Sequence, residues 1–124
     1  MEDKKLFMNT YTGRVFNPLE MVPDNVAIED IAHALSMMCR GNGHLRFFYS
    51  VGLHSINCAQ EAIARGYQTG TVLACLLHDA TEAYIADLIR PVKNQLPEYE
   101  IMENNLFEVI KEKFFLQHLE EKEW

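Results

Sequence analysis

The sequence predicts an all-α protein, a compact helical bundle carrying a small N-terminal β-hairpin. Apolar residues recur at helical spacing in successive stretches after Asn25, whereas alternating aromatic and β-branched residues are confined to the region before Pro18. At 124 residues and 48% apolar composition the chain is one globular domain, long enough to bury a core without disulfides.

The elements follow in order. Leu6 to Phe16 reads as two short strands, LFMNT and RVF, around the turn Tyr11-Thr12-Gly13. Pro18 to Asn25 is a loop. From Ile28 an apolar stripe of Ile28, Ile31, Ala32, Leu35 and Met38 predicts a helix ending near Arg40-Gly41. After the segment GNGHLRFFYS, Ser50 is placed to cap a helix from Val51 to about Ala64, stopped by Arg65-Gly66. His54, Cys58 and Ala62 share one face of it, so His54 should point inward. A third helix follows Thr69-Gly70; Val72 to Leu77 is apolar on every side, as in a central helix surrounded by others, and leads into His78-Asp79. Arg90-Pro91 breaks the pattern, a short helical piece follows, and Pro97 opens a long helix with Ile101, Leu106, Val109, Ile110 and Phe114 on its apolar side.

The formal net charge is -7, with much of the acid in the C-terminal third (Glu98, Glu100, Glu103, Glu108, Glu112, Glu120, Glu121, Glu123), read as a solvated helix face. Neutralising a nucleic-acid polymer requires a basic stripe, so that partner is excluded. A small phosphorylated ligand in a local positive pocket is not. Cys39, Cys58 and Cys75 are odd in number, far apart and set among apolar residues, which predicts buried free thiols in a reducing compartment. No apolar run reaches membrane-spanning length, and MEDKKLF lacks a signal-peptide core, so a cytoplasmic protein with no membrane partner is expected.

His78-Asp79 is the most informative feature, because ionisable side chains at the end of an apolar helix are costly unless paired, hydrogen-bonded or metal-bound. Neighbours on a helix diverge by about a hundred degrees, so a metal shared by both must sit at a helix end and take further ligands from another helix. His54 is the obvious donor. A set of His54, His78 and Asp79 suits one divalent ion other than calcium, with manganese, cobalt, iron, nickel, zinc and magnesium left open. Such an ion acidifies water and polarises phosphoryl oxygens, which makes hydrolysis the natural reaction. Glu82, one turn after His78, and Asp87 are the candidate catalytic carboxylates. Arg40, His44 and Arg46 are candidate phosphate-binding residues, with Arg90 and Lys93 as further cations. His44 reads equally well as a loop residue bonding the backbone. His33 and His118 read as surface histidines, and Phe47-Phe48-Tyr49 as core packing before base stacking.

The words FYSVGLHS and LLHDATEAYIADLIRPVK, with His54 and His78-Asp79 inside them, resemble the HD-domain superfamily of metal-dependent phosphohydrolases. Within it, the chain looks like the compact bacterial and phage members similar to 5'-deoxynucleotidases, from about Ile28 to Phe115. The resemblance implies an HD-type helical bundle whose metal is held by a histidine, the HD pair and a later aspartate. His54, His78 and Asp79 match the first three places, and Glu82 and Asp87 match the nucleotidases' acidic pair. No aspartate follows Asp87, so a single HD domain over 1–124, truncated at its C-terminus, is expected, with Glu120 or Glu121 as a weaker substitute. The implied activity is hydrolysis of a (deoxy)nucleoside 5'-monophosphate, with a homodimer left open. The alternatives are another phosphorylated nucleotide (cyclic nucleotide, alarmone or triphosphate) or a non-catalytic metal- or nucleotide-binding module.

Overall fold

The fold was obtained as a computed structural model that describes residues 7–116. The expectations for Leu6, His118, Glu120, Glu121 and Glu123 lie outside those residues. The chain is mostly helical, with one small antiparallel hairpin, as its patterning predicts.

Strands β1 (Met8–Asn9) and β2 (Val15–Phe16) pair in the register Met8 to Phe16 and Asn9 to Val15. Gly13, with φ +91°, supplies the left-handed turn conformation that side-chain-bearing residues disfavour. The hairpin is tied to the helical body by Asp30, which is only 3% exposed and accepts hydrogen bonds from the Thr12 amide (2.8 Å) and hydroxyl (2.9 Å). Burial pushes the Asp30 carboxyl up, but the bonds from Thr12 and Thr10 and the charge of Arg14 outweigh it and hold the group below its usual value. Outside this joint, His33 is exposed and stacks on Tyr11 at 3.8 Å, a surface role as expected.

Helix α1 (Ile28–Ser36) stops about one turn earlier than its apolar stripe suggests. Its inward face is Ala27, Ile31 and Leu35, while Ile28 and Ala32 are exposed. The early stop has a tertiary cause: Met38 to Arg40 run extended beside Tyr49 to Val51, with Arg40 N–H donating to Tyr49 O (2.9 Å) and Val51 N–H to Met38 O (2.8 Å). Between these runs lies a tight turn in which Gly41, Asn42 and Gly43 all have positive φ.

Helix α2 (Val51–Ala64) begins and ends where capping chemistry predicts. The Ser50 hydroxyl accepts from Leu53 N–H (2.9 Å), and Gly66, at φ +78°, closes a Schellman motif through Tyr67 N–H to Ala62 O and Gly66 N–H to Ile63 O. Helix α3 (Thr69–Leu77) packs along α2 in the most extensive helix pairing of the fold. It buries Ala74 and Leu77 fully and leaves its other apolar residues half-buried, so it is central on one flank rather than enclosed. Two short helices, α4 (Glu82–Ile85) and α5 (Arg90–Lys93), lead to α6 (Pro97–Lys113), which opens on Pro97 and seats Leu106 and Ile110 in the core. Ile101, expected on the buried side, is 60% exposed. The core joins Phe16, Met21, Val26, Ile31, Leu35, Val51, Ala74, Leu77, Leu106 and Ile110 into one cluster. Among the described residues no helix is long and apolar enough to cross a membrane.

Gly52 sets the distance between α1 and α2. A Cβ there would stand 3.2–3.3 Å from Ser36 N, Ser36 Cα and Leu35 C, which are backbone atoms that cannot swing aside. Gly52→Ala should therefore lower the unfolding free energy by roughly 1–2 kcal/mol in a urea titration, although glycine-to-alanine changes in a helix usually stabilise.

Candidate metal centre

The site lies where the first turns of α2 meet the end of α3. Ser50 starts α2 so that His54 and Cys58, one turn apart, face α3. The α3 helix ends at Leu77, and His78 is its C-cap residue. From there the chain passes through tight turns, with Ala80 N–H bonding Leu77 O and Glu82 N–H bonding Asp79 O, before α4 begins. An uninterrupted helix would send His78 and Asp79 in divergent directions; this break lets both reach one point. It also corrects the expectation that Glu82 follows His78 along a continuous helix.

His54 Nε2 lies 3.6 Å from Asp79 Oδ2, and His78 Nε2 lies 3.0 Å from the same oxygen. The two imidazoles meet edge to face at 5.3 Å. His78 Nδ1 is 2.7 Å from Cys75 O, so that nitrogen carries its proton toward the carbonyl and Nε2 is the atom presented to the site. Cys58 Sγ is 3.6 Å from His54 Nε2. The donor atoms of His54, Cys58 and His78 all lie within 4.8 Å of one another, a group able to hold a metal ion. The two imidazoles and the thiol at this spacing fit a divalent transition ion and are foreign to calcium, and the Asp79 carboxylate lies against both imidazoles.

Electrostatics divide these groups. The hydrogen bond to Asp79 raises the His78 pKa against the opposing effect of burial. Burial and then Arg40 lower that of His54. Burial pushes the Asp79 carboxyl up, but His78, His54 and Arg40 together hold it below its usual value. Burial followed by the Asp79 charge raises the Cys58 thiol. Glu82 is the extreme case: burial first, then Asp79 and Asp87, push its carboxyl up to about 9, and its Oε2 is buried without a hydrogen-bond partner. At neutral pH Glu82 therefore holds a proton beside Asp79 and Asp87.

The predicted residues do not all arrive at the centre. His54, His78 and Asp79 converge, with Glu82 and the half-buried Asp87 beside them. Arg40 and Arg46 line an adjoining depression of about 600 Å³ together with Gly41, Leu45, Phe47 and Tyr49. Arg40 sits over the Tyr49 ring at 6.0 Å, and that ring approaches His54 at 6.5 Å, so the Tyr49 side of the depression adjoins the centre. His44 is exposed in the same turn and is not part of its lining. Phe47 and Phe48 are 82% and 67% exposed, which corrects the reading of this run as core packing. The three cysteines are free thiols but only half-buried. Lys93 is withdrawn from ligand binding by its ion pair with Glu103 at 2.6 Å, beneath Tyr99. Tyr99, whose pKa is raised by burial and by Glu103, donates its hydroxyl to Ala86 O, which fixes the strained Ala86 (φ +74°) just before Asp87. Cys58 was legible as a neighbour of His54 on one helix face, yet its apolar surroundings concealed it as a donor.

No family model matches the chain. It is similar to the uncharacterized protein YfdR of Escherichia coli, 40% identical over 110 residues that cover 89% of this chain and 59% of that protein. It is also similar to an uncharacterized protein of Rhodobacter capsulatus, 39% identical over 95 residues that cover 73% of this chain and 48% of that protein. The chain thus spans about half the length of the curated relatives it matches, and neither name states an activity.

The Glu82 carboxyl carries a sign that can be tested. A folded pKa of about 9 against an ordinary 4.5 means that the folded state binds more protons across that window, so stability falls as pH rises through it. His78, raised above 6.5, adds a loss in the same direction near neutrality, and the lowered His54 opposes it there. Thermal melts of the metal-free protein should show Tm falling from pH 5 toward about 9, and Glu82→Gln should flatten the alkaline part of that slope while leaving the His78 part in place.

Proposed function

We propose that the chain is a metal-dependent phosphohydrolase of the HD-domain type, acting on the phosphomonoester of a nucleoside 5'-monophosphate, a deoxynucleotide in particular. The observation that carries this reading is the convergence of His54 Nε2 and His78 Nε2 on one oxygen of Asp79, beside a carboxyl that retains its proton to about 9. His54, His78 and Asp79 would hold the ion. When bound, it supplies Lewis-acid polarisation of the phosphoryl group and acidifies water.

The remaining roles belong to this chain's own side chains. Burial first, and then Asp79 and Asp87, keep Glu82 protonated; positive charge added at Asp79 would oppose the second of these effects and bring Glu82 closer to the range of a general base. Glu82 and Asp87 together then take one proton from the attacking water and return one to the departing sugar oxygen, leaving the pair's proton count unchanged. Arg40, whose charge reaches His54, His78 and Asp79 and which lines the depression, neutralises the phosphate and orients it. Arg46 and the exposed ring of Phe47 farther along give the nucleoside end a cation and an aromatic face.

The purified protein with manganese or cobalt should release phosphate from a panel of deoxynucleoside 5'-monophosphates, measured by a colorimetric phosphate assay. Glu82→Ala should retain metal while turnover drops about 10²–10⁴-fold. Metal binding with no phosphate release from any phosphorylated substrate would overturn the assignment. Separately, Arg40→Ala should reduce kcat/KM by about ten- to a hundredfold through loss of a charge-assisted contact. An unchanged kcat/KM would remove Arg40 from the substrate site.

A further inference from the structure

We infer that the Cys58 thiolate is a direct ligand of the metal, which makes the centre a two-histidine, one-thiolate, one-carboxylate site selective for zinc- or cobalt-like ions over magnesium and manganese. The inference rests on the reading above that His54, His78 and Asp79 hold an ion, and adds to it a donor and a selectivity.

Distances carry the argument. With metal–nitrogen and metal–oxygen bonds of about 2.0–2.1 Å and metal–sulfur bonds of about 2.3 Å, tetrahedral angles separate ligand atoms by about 3.3–3.6 Å. Cys58 Sγ to His54 Nε2 is 3.6 Å, His54 Nε2 to Asp79 Oδ2 is 3.6 Å, and His78 Nε2 to Asp79 Oδ2 is 3.0 Å. The donors of His54, Cys58 and His78 are mutually within 4.8 Å, so a point equidistant from all of them lies within bonding reach after small rotamer changes. The placement of Cys58 is rigid. It stands one turn beyond His54 on a helix capped at both ends, the His-x₃-Cys spacing that lets one helix face supply two ligands. Ala59 and Ala62 are buried and α2 packs along α3, which holds the helix against rolling Cys58 away.

The other two cysteines offer a contrast. Cys39 pairs in an extended bridge with Ser50, and Cys75 contributes its carbonyl to His78 rather than its sulfur to the donor group. Soft sulfur favours zinc and cobalt and disfavours magnesium and manganese, which prefer oxygen. A set of imidazoles and carboxylate alone would not discriminate so sharply.

Cobalt(II) titration of the purified protein reads the two claims separately. Visible d–d bands report an ion on His54, His78 and Asp79, whereas an intense near-ultraviolet thiolate-to-cobalt charge-transfer band reports Cys58. The expected result is both features at one ion per chain, with the near-ultraviolet band lost in Cys58→Ser and Cys58→Ala and kept in Cys39→Ser and Cys75→Ser. Zinc affinity of the Cys58 variants, measured by competition with a chelator, should fall at least about tenfold while manganese affinity is nearly unchanged. Visible bands without the charge-transfer band in the wild-type protein would overturn the Cys58 ligand and leave the three-ligand site standing. Absence of both would overturn the metal centre itself. Because the decisive spectrum is that of the unaltered protein, a variant that fails to fold does not obscure the outcome.

Discussion

The polar end of this molecule is governed by how much negative charge a half-buried space can hold. Asp79, Glu82 and Asp87 crowd together where α3 gives way to α4, with Glu103 beyond them. Water is too scarce there to screen them fully, and repulsion between like charges rises as the local dielectric falls. The protein answers with unequal protonation. Asp79 keeps its charge because His78, His54 and Arg40 surround it, and Glu82 gives its charge up. Lys93 pairs with Glu103, which removes one carboxylate from the balance. An added cation would relieve crowding of this kind, which is the electrostatic basis of the proposed metal site.

Holding such a cluster together requires that three chain segments arrive from different directions, and each is fixed by an ordinary device. Gly52 allows α2 to approach the end of α1 closely enough for Val51 to be buried. The Ser50 cap and Gly66 Schellman turn fix the length of α2, and hence the face on which His54 and Cys58 stand. The α3 break after Leu77 lets His78 and Asp79 converge, while Ala80 and Thr81, both fully buried, anchor the irregular turn from beneath. The Tyr99 hydroxyl on Ala86 O does the same for the approach to Asp87. Residues outside the cluster thus set where His54, His78 and Asp79 meet, as surrounding contacts do for ligands in metal sites generally.

How legible this was in the sequence depends on whether the determining interaction is local. The Ser50 cap, the Gly66 stop, the Pro97 start and the Tyr11-Thr12-Gly13 turn are short-range chemistry, and each element limit they imply is present. Where distant segments decide, pattern reading overshoots. The stripe through Met38 is a sound helical pattern, but Met38 to Arg40 are claimed by pairing with Tyr49 to Val51. Likewise nothing in the helix propensities of Ala80 and Thr81 announces the break between α3 and α4. Phe47 and Phe48 misled because apolar rings are usually core residues, whereas here the turn through Gly41, Asn42 and Gly43 carries them outward. The convergence of His54 and His78-Asp79 was legible because burial of polar groups demands partners. The nearness of Cys58 Sγ was not, since helical periodicity gives a shared face but no interatomic distance.

The exposed rings and the two arginines also resolve an apparent conflict between the chain's acidity and an anionic ligand. The net charge is -7, yet many of the described acidic residues of α6 point into solvent, where counter-ions screen them beyond a Debye length of about 8 Å. Arg40, by contrast, bears electrostatically on His54, His78 and Asp79 and lines the depression together with Arg46. Local field and net charge therefore have opposite signs over different distances. A long polyanion would meet the acidic exterior along its length, whereas a ligand small enough to fit a depression of about 600 Å³ meets only the local field. On the proposed function, size and charge would be selected together, through where the arginines lie rather than through how many the chain contains.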